Sequence, residues 1–257
     1  MTDPYQRYNR QKMPPLRIVA YALCYNEEIL LPHYLKHYLS FCDKIVIYDN
    51  HSTDRSLDII RSTPKVELRF FESNNEFDEL TNMAIKNNCY KEEIGKADFC
   101  IVGDIDELLY ARNIRYMLLQ CKLECINFPN VTGYEMVGDG YPITDNIIEE
   151  IKYGVYSIEF SKRVIFSPQI DINFTPGCHF CKPKGKIHES NKFNFSLLHF
   201  KYLSSDYIIK RTQTFMPRIS KTNKIYGFST QYYNCLPFRI QEAYNRMRSL
   251  RKLLHLT

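Results

Sequence analysis

Apolar and polar positions alternate in blocks through the first hundred residues. Arg17-Ile-Val-Ala-Tyr-Ala-Leu-Cys-Tyr25 is an unbroken β-branched and apolar run, the pattern of a strand buried on both faces, and it stops at Asn26-Glu27-Glu28. Ile29, Leu30, Tyr34, Leu35, Tyr38 and Leu39 then recur at helical spacing, with Pro32 placed where a first helical turn tolerates it. A second strand, Lys44 to Tyr48, runs into Asp49-Asn50-His51-Ser52-Thr53-Asp54, where Ser52 or Thr53 is suited to cap a helix carrying Leu57, Ile59 and Ile60. Val66 to Phe71 reads as a third strand, Phe77 to Glu93 as a helix, and Phe99 to Gly103 as a fourth strand. Strand and helix in alternation predict a parallel α/β sheet that binds ligands at the carboxyl ends of its strands. Asn26 and Glu27, Asp49 and Asn50, and Asp104 and Asp106 fall at three such ends and describe one rim.

After residue 112 the pattern is less regular. A helix is expected from Ile114 to Cys121 and a strand near Cys125 to Phe128, followed by Gly/Tyr/Pro-rich connections from Gly133 to Pro142. Strands are expected over Tyr156 to Phe166, Ile170 to Phe174 and Phe195 to Phe200. Ile240, Ala243, Tyr244, Met247, Leu250 and Leu254 predict an amphipathic C-terminal helix. No internal repeat or clear linker divides the chain, so one domain is expected. Its parts are a first half whose strand–helix alternation is like that of a nucleotide-binding fold (17–112), an elaborated second half (113–235) and a basic helix (236–257).

The 257 residues are 44% hydrophobic and 25% charged, enough for a sizeable core. No apolar run is long enough to span a membrane, and the first sixteen residues lack the apolar stretch of a secretory leader. A soluble cytoplasmic protein is the expectation. Nine scattered cysteines fit reduced thiols better than a disulfide framework. The net charge of +5 is uneven: from Lys201 onward eleven Lys/Arg face Asp206 and Glu242, a net of +9, so the first 200 residues carry −4. Such a segment suits an anionic partner or a peripheral membrane contact, or forms a solvated helical face.

The sharpest chemical signal is Ile101-Val-Gly-Asp104-Ile105-Asp106-Glu107. Residues two apart at a strand end project to one side, so Asp104 and Asp106 can converge on a hard divalent cation such as Mn²⁺ or Mg²⁺, which in turn holds substrate phosphates.

Ala22 to Glu28, Asp43 to Asp54 and Ala97 to Glu107 together resemble the successive motifs of glycosyltransferase family 2. The resemblance continues through Gly133 to Pro142, Ser161 to Pro168, Pro176 to His179 and Leu197-Leu-His199-Phe-Lys201-Tyr202. It implies a GT-A fold and inverting transfer of a sugar from a nucleotide-sugar, a UDP-sugar ahead of a GDP- or dTDP-sugar, to a glycan, lipid-linked or protein acceptor. It also implies Asp106 as the main metal ligand, Asp104 as the second, through water or the donor ribose, and His199 as the third. Asp49 would receive the nucleobase, with Asn26 and Glu27 beside it; Ser52 serves there or as a plain helix cap. Lys201 would face the diphosphate, and Lys162 and His179 would contact substrate. An inverting transfer needs a base for the acceptor hydroxyl. Asp139, between two glycines, is the first choice, with Glu135 and Asp171 as alternatives.

Other readings are weaker. Cys121 and Cys125, or Cys178 and Cys181 with His179 and His188, lack the spacing of a zinc ribbon. A phosphatase would carry its acidic pair on the first strand. A non-catalytic binder of glycans or nucleic acid would use the basic tail and the twenty tyrosines, but no nucleic-acid motif accompanies them.

Overall fold

The computed structural model describes residues 15–233 and 236–255. In chain order the regular elements are β1 (Ile18–Cys24), α1 (Leu31–Leu39), β2 (Lys44–Asp49), α2 (Ser56–Ser62), β3 (Val66–Phe70) and α3 (Glu79–Lys86). They continue with β4 (Phe99–Asp104), β5 (Glu107–Tyr110), α4 (Ile114–Leu123), β6 (Asn130–Val137), α5 (Ile147–Glu150), β7 (Tyr153–Ser157) and β8 (Ile165–Phe166). The last are β9 (Asn194–Tyr202), α6 (Ser205–Phe215), α7 (Lys221–Tyr226), α8 (Pro237–Leu250) and β10 (Lys252–Leu253).

Two five-stranded sheets form. The first has the order β3-β2-β1-β4-β8, parallel from β3 to β4, with β8 antiparallel at the edge. The second has the order β10-β7-β6-β9-β5, in which β6 and β9 are parallel and the other pairs antiparallel. This is the α/β class expected from the sequence, with a mixed, mostly parallel central sheet and a helical C-terminal extension.

The unbroken apolar runs follow from burial on both faces of the first sheet. Ile18, Ala20 and Ala22 of β1 face a core that also holds Ile45 and Ile101 and reaches Met136, Leu197, Leu198, Ile240 and Tyr244 of the second sheet and α8. Val19 and Tyr21 face a smaller cluster with Val46, Val102, Tyr90 and Phe166. Pro32 lies in the first turn of α1, as predicted.

Several predicted elements differ. The helix expected over Phe77 to Glu93 is α3 and a separate 3₁₀ turn, Cys89–Glu93, divided at Asn87 and Asn88. Cys125 is left-handed (φ 56°) and ends the expected strand before it starts; pairing begins at Asn130, in the stretch expected to be connection. Between β7 and β8 the chain turns, Ser161 Oγ donating to the Ser157 carbonyl at 2.9 Å. Left-handed Asn173 (φ 49°) reduces 170–174 to single bridges at Asp171 and Phe174. The C-terminal helix stops at Leu250, after which β10 pairs with β7.

α8 packs on the domain through buried Ile240 and Tyr244, and the Tyr244 hydroxyl donates to the Gly138 carbonyl at 2.8 Å. Among the described residues no helix is long and apolar enough to cross a membrane. The eight described cysteines are free, and Cys235 lies outside the described residues.

Candidate active site

The cleft opens where β1, β2 and β4 end. Left-handed Asn26 (φ 53°) and His51 (φ 56°) turn the chain at the first two ends, a conformation asparagine tolerates better than most side chains. The two turns interlock. Asn26 N donates to Ser52 Oγ at 2.9 Å, Glu27 N to Ser56 Oγ at 2.9 Å, Glu28 N to Asp54 Oδ2 at 3.0 Å, and Thr53 N back to Asn26 Oδ1 at 2.7 Å. Asp49, fully buried, accepts from Ser52 N at 2.7 Å and Ser52 Oγ at 2.6 Å. Ser52 therefore holds Asp49 and Asn26, and neither it nor Thr53 caps α2; that helix starts at Ser56, whose N–H donates to Asp54 Oδ1 at 2.9 Å. Asp49 and Ser52 anchor the loop from beneath, and Asn50 is the member of this turn that lines the cleft.

The centre of the cleft is a buried ionic network. Asp104 meets Lys86, the last residue of α3, at 2.6 Å. Glu107 meets Lys162 at 2.5 Å, both side chains being within 5% of full burial. Arg211 of α6 bridges Glu27 at 2.6 Å and Asp106 at 3.0 Å. His199 lies between two acids, Nδ1 at 2.7 Å from Glu135 and Nε2 at 3.3 Å from Asp106. The strand register builds this row, because Glu107, His199 and Glu135 are direct partners across β5, β9 and β6, and cross-strand partners share a face. Phe160 stacks on the imidazole at 3.8 Å, with Lys162 Nζ 4.6 Å from the same ring.

Burial opposes every charge here, and the neighbours decide the outcome. Burial lifts the Glu27 carboxyl to about 7, Arg211 opposing and Asp106 adding to the rise. Burial would also lift Asp106, but Arg211 and His199 pull it far below the usual carboxylate range. Lys86 and Lys162 are raised despite burial by Asp104 and Glu107 respectively. Burial lowers His199, yet Glu135 and Asp106 outweigh it and bring the imidazole up to about 9.

The structure thus brings Glu27, Asp104, Asp106, Lys162, His179, His199 and Lys201 to one cleft. His179 sits edge-on to Phe160, its Nδ1 3.1 Å from the Glu159 carbonyl oxygen. Asn26 lies beside the cleft, in a neighbouring hollow that shares Glu27 and Arg211 with it. Asp139 is not brought in. It lies at the surface, outside the cleft lining, held by Arg251 at 2.9 Å and by Arg248 at 2.9 Å. The alternative Asp171 pairs with Lys91 at 3.3 Å, also outside the lining. Glu135 stands behind His199.

Sequence reasoning missed four cations or cation partners: Lys86, Glu107, Arg211 and Arg218. Arg218 lines the cleft beside Asn50, its guanidinium carbon 3.2 Å from the Tyr25 ring centre and its Nη2 donating to Asn50 Oδ1. The signal was present in the basic tail, two of whose arginines turn inward. The segment that carries them is strapped to the first half: Ser220 Oγ donates to Asp78 Oδ2 at 2.7 Å and Glu79 N donates to Asn223 Oδ1 at 3.0 Å. Among the described residues no group of three or more His, Cys, Asp or Glu side chains is arranged as ready metal donors, since lysines and arginine hold the carboxylates.

Fold and site together define an α/β protein with a charged cleft at the carboxyl ends of a parallel sheet. No family model and no curated protein matches the chain. Among solved structures it is similar to residues 1–349 of TarS from S. aureus, at 12% identity and a TM-score of 0.47 over 84% of this chain and 73% of that one. It is also similar to a longer TarS structure, at 12% identity and a TM-score of 0.45, covering 79% of this chain and 39% of that one.

Proposed function

We propose that the chain is an inverting glycosyltransferase that takes a nucleotide-sugar, a UDP-sugar in the first instance. The observation that carries this is the convergence of Asp104, Asp106 and His199 with Lys162, Lys201, Arg211 and Arg218 in one cleft at the ends of β1, β2 and β4. A nucleoside diphosphate lying there meets cations along its phosphates, with Asn50, Arg218 and Tyr25 at the base end. Departure of the diphosphate builds negative charge, and preorganised cations in a site sheltered from water stabilise it.

The charge balance of the site leaves room for a divalent cation. Five carboxylates (Glu27, Asp104, Asp106, Glu107, Glu135) face three permanent cations (Lys86, Lys162, Arg211), an excess of acid that His199 alone does not balance. Mn²⁺ or Mg²⁺ would be held by Asp106, Asp104 and His199 once Arg211 and Lys86 give up the two carboxylates and the imidazole gives up its proton. Such an ion supplies Lewis-acid stabilisation of the leaving diphosphate. For Asp139 to serve as the acceptor's base it must first leave Arg248 and Arg251.

The test is nucleotide release from UDP-, GDP- and dTDP-sugars with Mn²⁺, Mg²⁺ or EDTA, wild type against Asp106→Asn. One donor should be turned over in a metal-dependent way. The substitution should slow that turnover by about 100-fold or more, as removing a group that stabilises developing negative charge does in other enzymes. Undiminished release by Asp106→Asn, or full activity in EDTA, removes the metal assignment. Absence of both release and UDP binding removes the transferase reading.

A further inference from the structure

The open space of the cleft is about 160 Å³, against roughly 300–1,000 Å³ for sites that enclose a drug-sized ligand. Where β1 ends, the room is taken by one side chain. Arg218 is buried, its guanidinium carbon 3.2 Å from the centre of the Tyr25 ring, and it donates through Nη2 to Asn50 Oδ1 and through Nε to the Asn75 carbonyl at 3.1 Å. No base can stack on that face of Tyr25 while the guanidinium covers it.

Arg218 belongs to a segment, 216–233, that is fastened mainly by polar contacts. Phe77 N donates to the Arg218 carbonyl at 2.5 Å and Ser220 N to the Phe77 carbonyl at 3.1 Å. Asn223 Nδ2 donates to that same Phe77 carbonyl at 3.0 Å, and Ser229 Oγ to Glu79 Oε1 at 2.6 Å. Ile219 is the one apolar residue of the segment that is buried, whereas Ile225 and Tyr226 of α7 are 67% and 65% exposed. Half-buried Tyr232 adds a stack on Phe215 at 5.6 Å. The preceding helix α6, by contrast, buries Tyr207, Ile208 and Phe215. Segments with few buried apolar contacts open at the lowest free-energy cost, so the division between firm and loose chain falls at the end of α6.

We propose that residues 216–233 form an autoinhibitory strap, closed in this structure with Arg218 in the place of a nucleobase, and that a nucleoside diphosphate binds only after the strap lifts. This rests on the transferase reading and adds an order of events to it: Arg218 withdraws before the base settles beside Tyr25 and Asn50. Loosening the strap without touching the cleft then raises nucleotide affinity, because a larger fraction of molecules is competent to bind.

The experiment pairs calorimetric titration with UDP and hydrogen exchange of the full chain. Asn223, outside the cleft lining, holds the strap through Glu79 N and the Phe77 carbonyl. Asn223→Ala should tighten UDP binding at least fivefold, and Ser220→Ala, which loses the bond to Asp78, should act in the same direction. In wild type, UDP should speed exchange of the Phe77 and Ser220 amides at least tenfold while the amides of β1 and β4 keep their protection. That second measurement needs no variant, so it decides the matter even where a substitution impairs folding.

Slower or unchanged exchange at Phe77 and Ser220 with UDP bound overturns the strap and leaves the transferase. So does UDP affinity in both folded variants that is equal to or weaker than that of wild type. No UDP binding by wild type or by either variant, with the variants' strap amides exchanging faster, means an opened cleft that takes no nucleotide; it removes the transferase reading and the proposal with it.

Discussion

The two sheets deliver their residues to the cleft by different routes. In the first, each contributing strand runs into its own polar turn, and neighbouring turns lock together through hydrogen bonds such as Asn26 N to Ser52 Oγ, 26 residues apart. In the second, Glu107, Glu135 and His199 come from three strands whose pairing joins positions 64 and more residues apart, and their charges are settled only after those strands meet. The first sheet carries most of its cleft residues in the turns beyond its strands, whereas the second carries Glu107, Glu135 and His199 on the strands themselves. Substitutions at the seam should therefore cost both stability and function, while those outside it should cost little of either.

Arg211 is the sharpest way to break that seam. It is the second-half cation, from α6, that meets both Glu27 and Asp106 of the first half, and its side chain is 15% exposed. Arg211→Met keeps much of the volume but strands two buried carboxylates, a loss of about 3 to 5 kcal/mol when one partner of a buried pair is removed. A fall in Tm of roughly 10 °C is expected for a chain of this size. An unchanged Tm would mean that the two halves do not depend on this bridge.

Next in size is Gly133 of β6. A Cβ there would land inside the backbone of Phe160, whose ring stacks on His199. Gly133→Ala forces that backbone aside, and overpacking of this kind costs about 1 to 3 kcal/mol. Nucleotide release should fall with stability, because the Phe160 ring packs directly on the His199 imidazole. Full stability with full activity would show that the second sheet adapts without disturbing its row of charges.

The same contrast explains what was legible in the sequence. β1, β2 and β4 are continuous apolar runs with polar ends, and local pattern suffices to locate them together with Asp104 and Asp106. His199 sits in an apolar stretch whose meaning depends on register, and it emerged through resemblance to a family motif. Lys86 and Arg211 were invisible because a basic residue on a helix reads as solvated until its carboxylate partner, 18 or 105 residues away, is placed beside it. β6 was masked by Gly133 and Tyr134, which resemble turn residues, yet the glycine is required by the close approach of Phe160. The basic tail looked uniform from composition. In the fold Arg211 and Arg218 face the cleft while Arg248 and Arg251 clasp Asp139.

Asp139 gives the smallest expected effect and the finest test of the comparison. Its loop follows β6, where the transferase reading expects an acceptor-side carboxylate, but its side chain is 56% exposed and ion-paired at the surface. The Arg251 hydrogen bonds hold its carboxyl below the usual range. A base needs affinity for the proton it removes, and this environment reduces that affinity. Asp139→Asn should leave acceptor-dependent transfer within twofold of wild type and cost under about 1 kcal/mol, as exposed ion pairs do. Transfer measured with the preferred donor, alongside a melting curve, decides the matter. If transfer collapses while donor binding and Tm persist, α8 must release Asp139 during the reaction, and the surface clasp becomes part of the catalytic cycle.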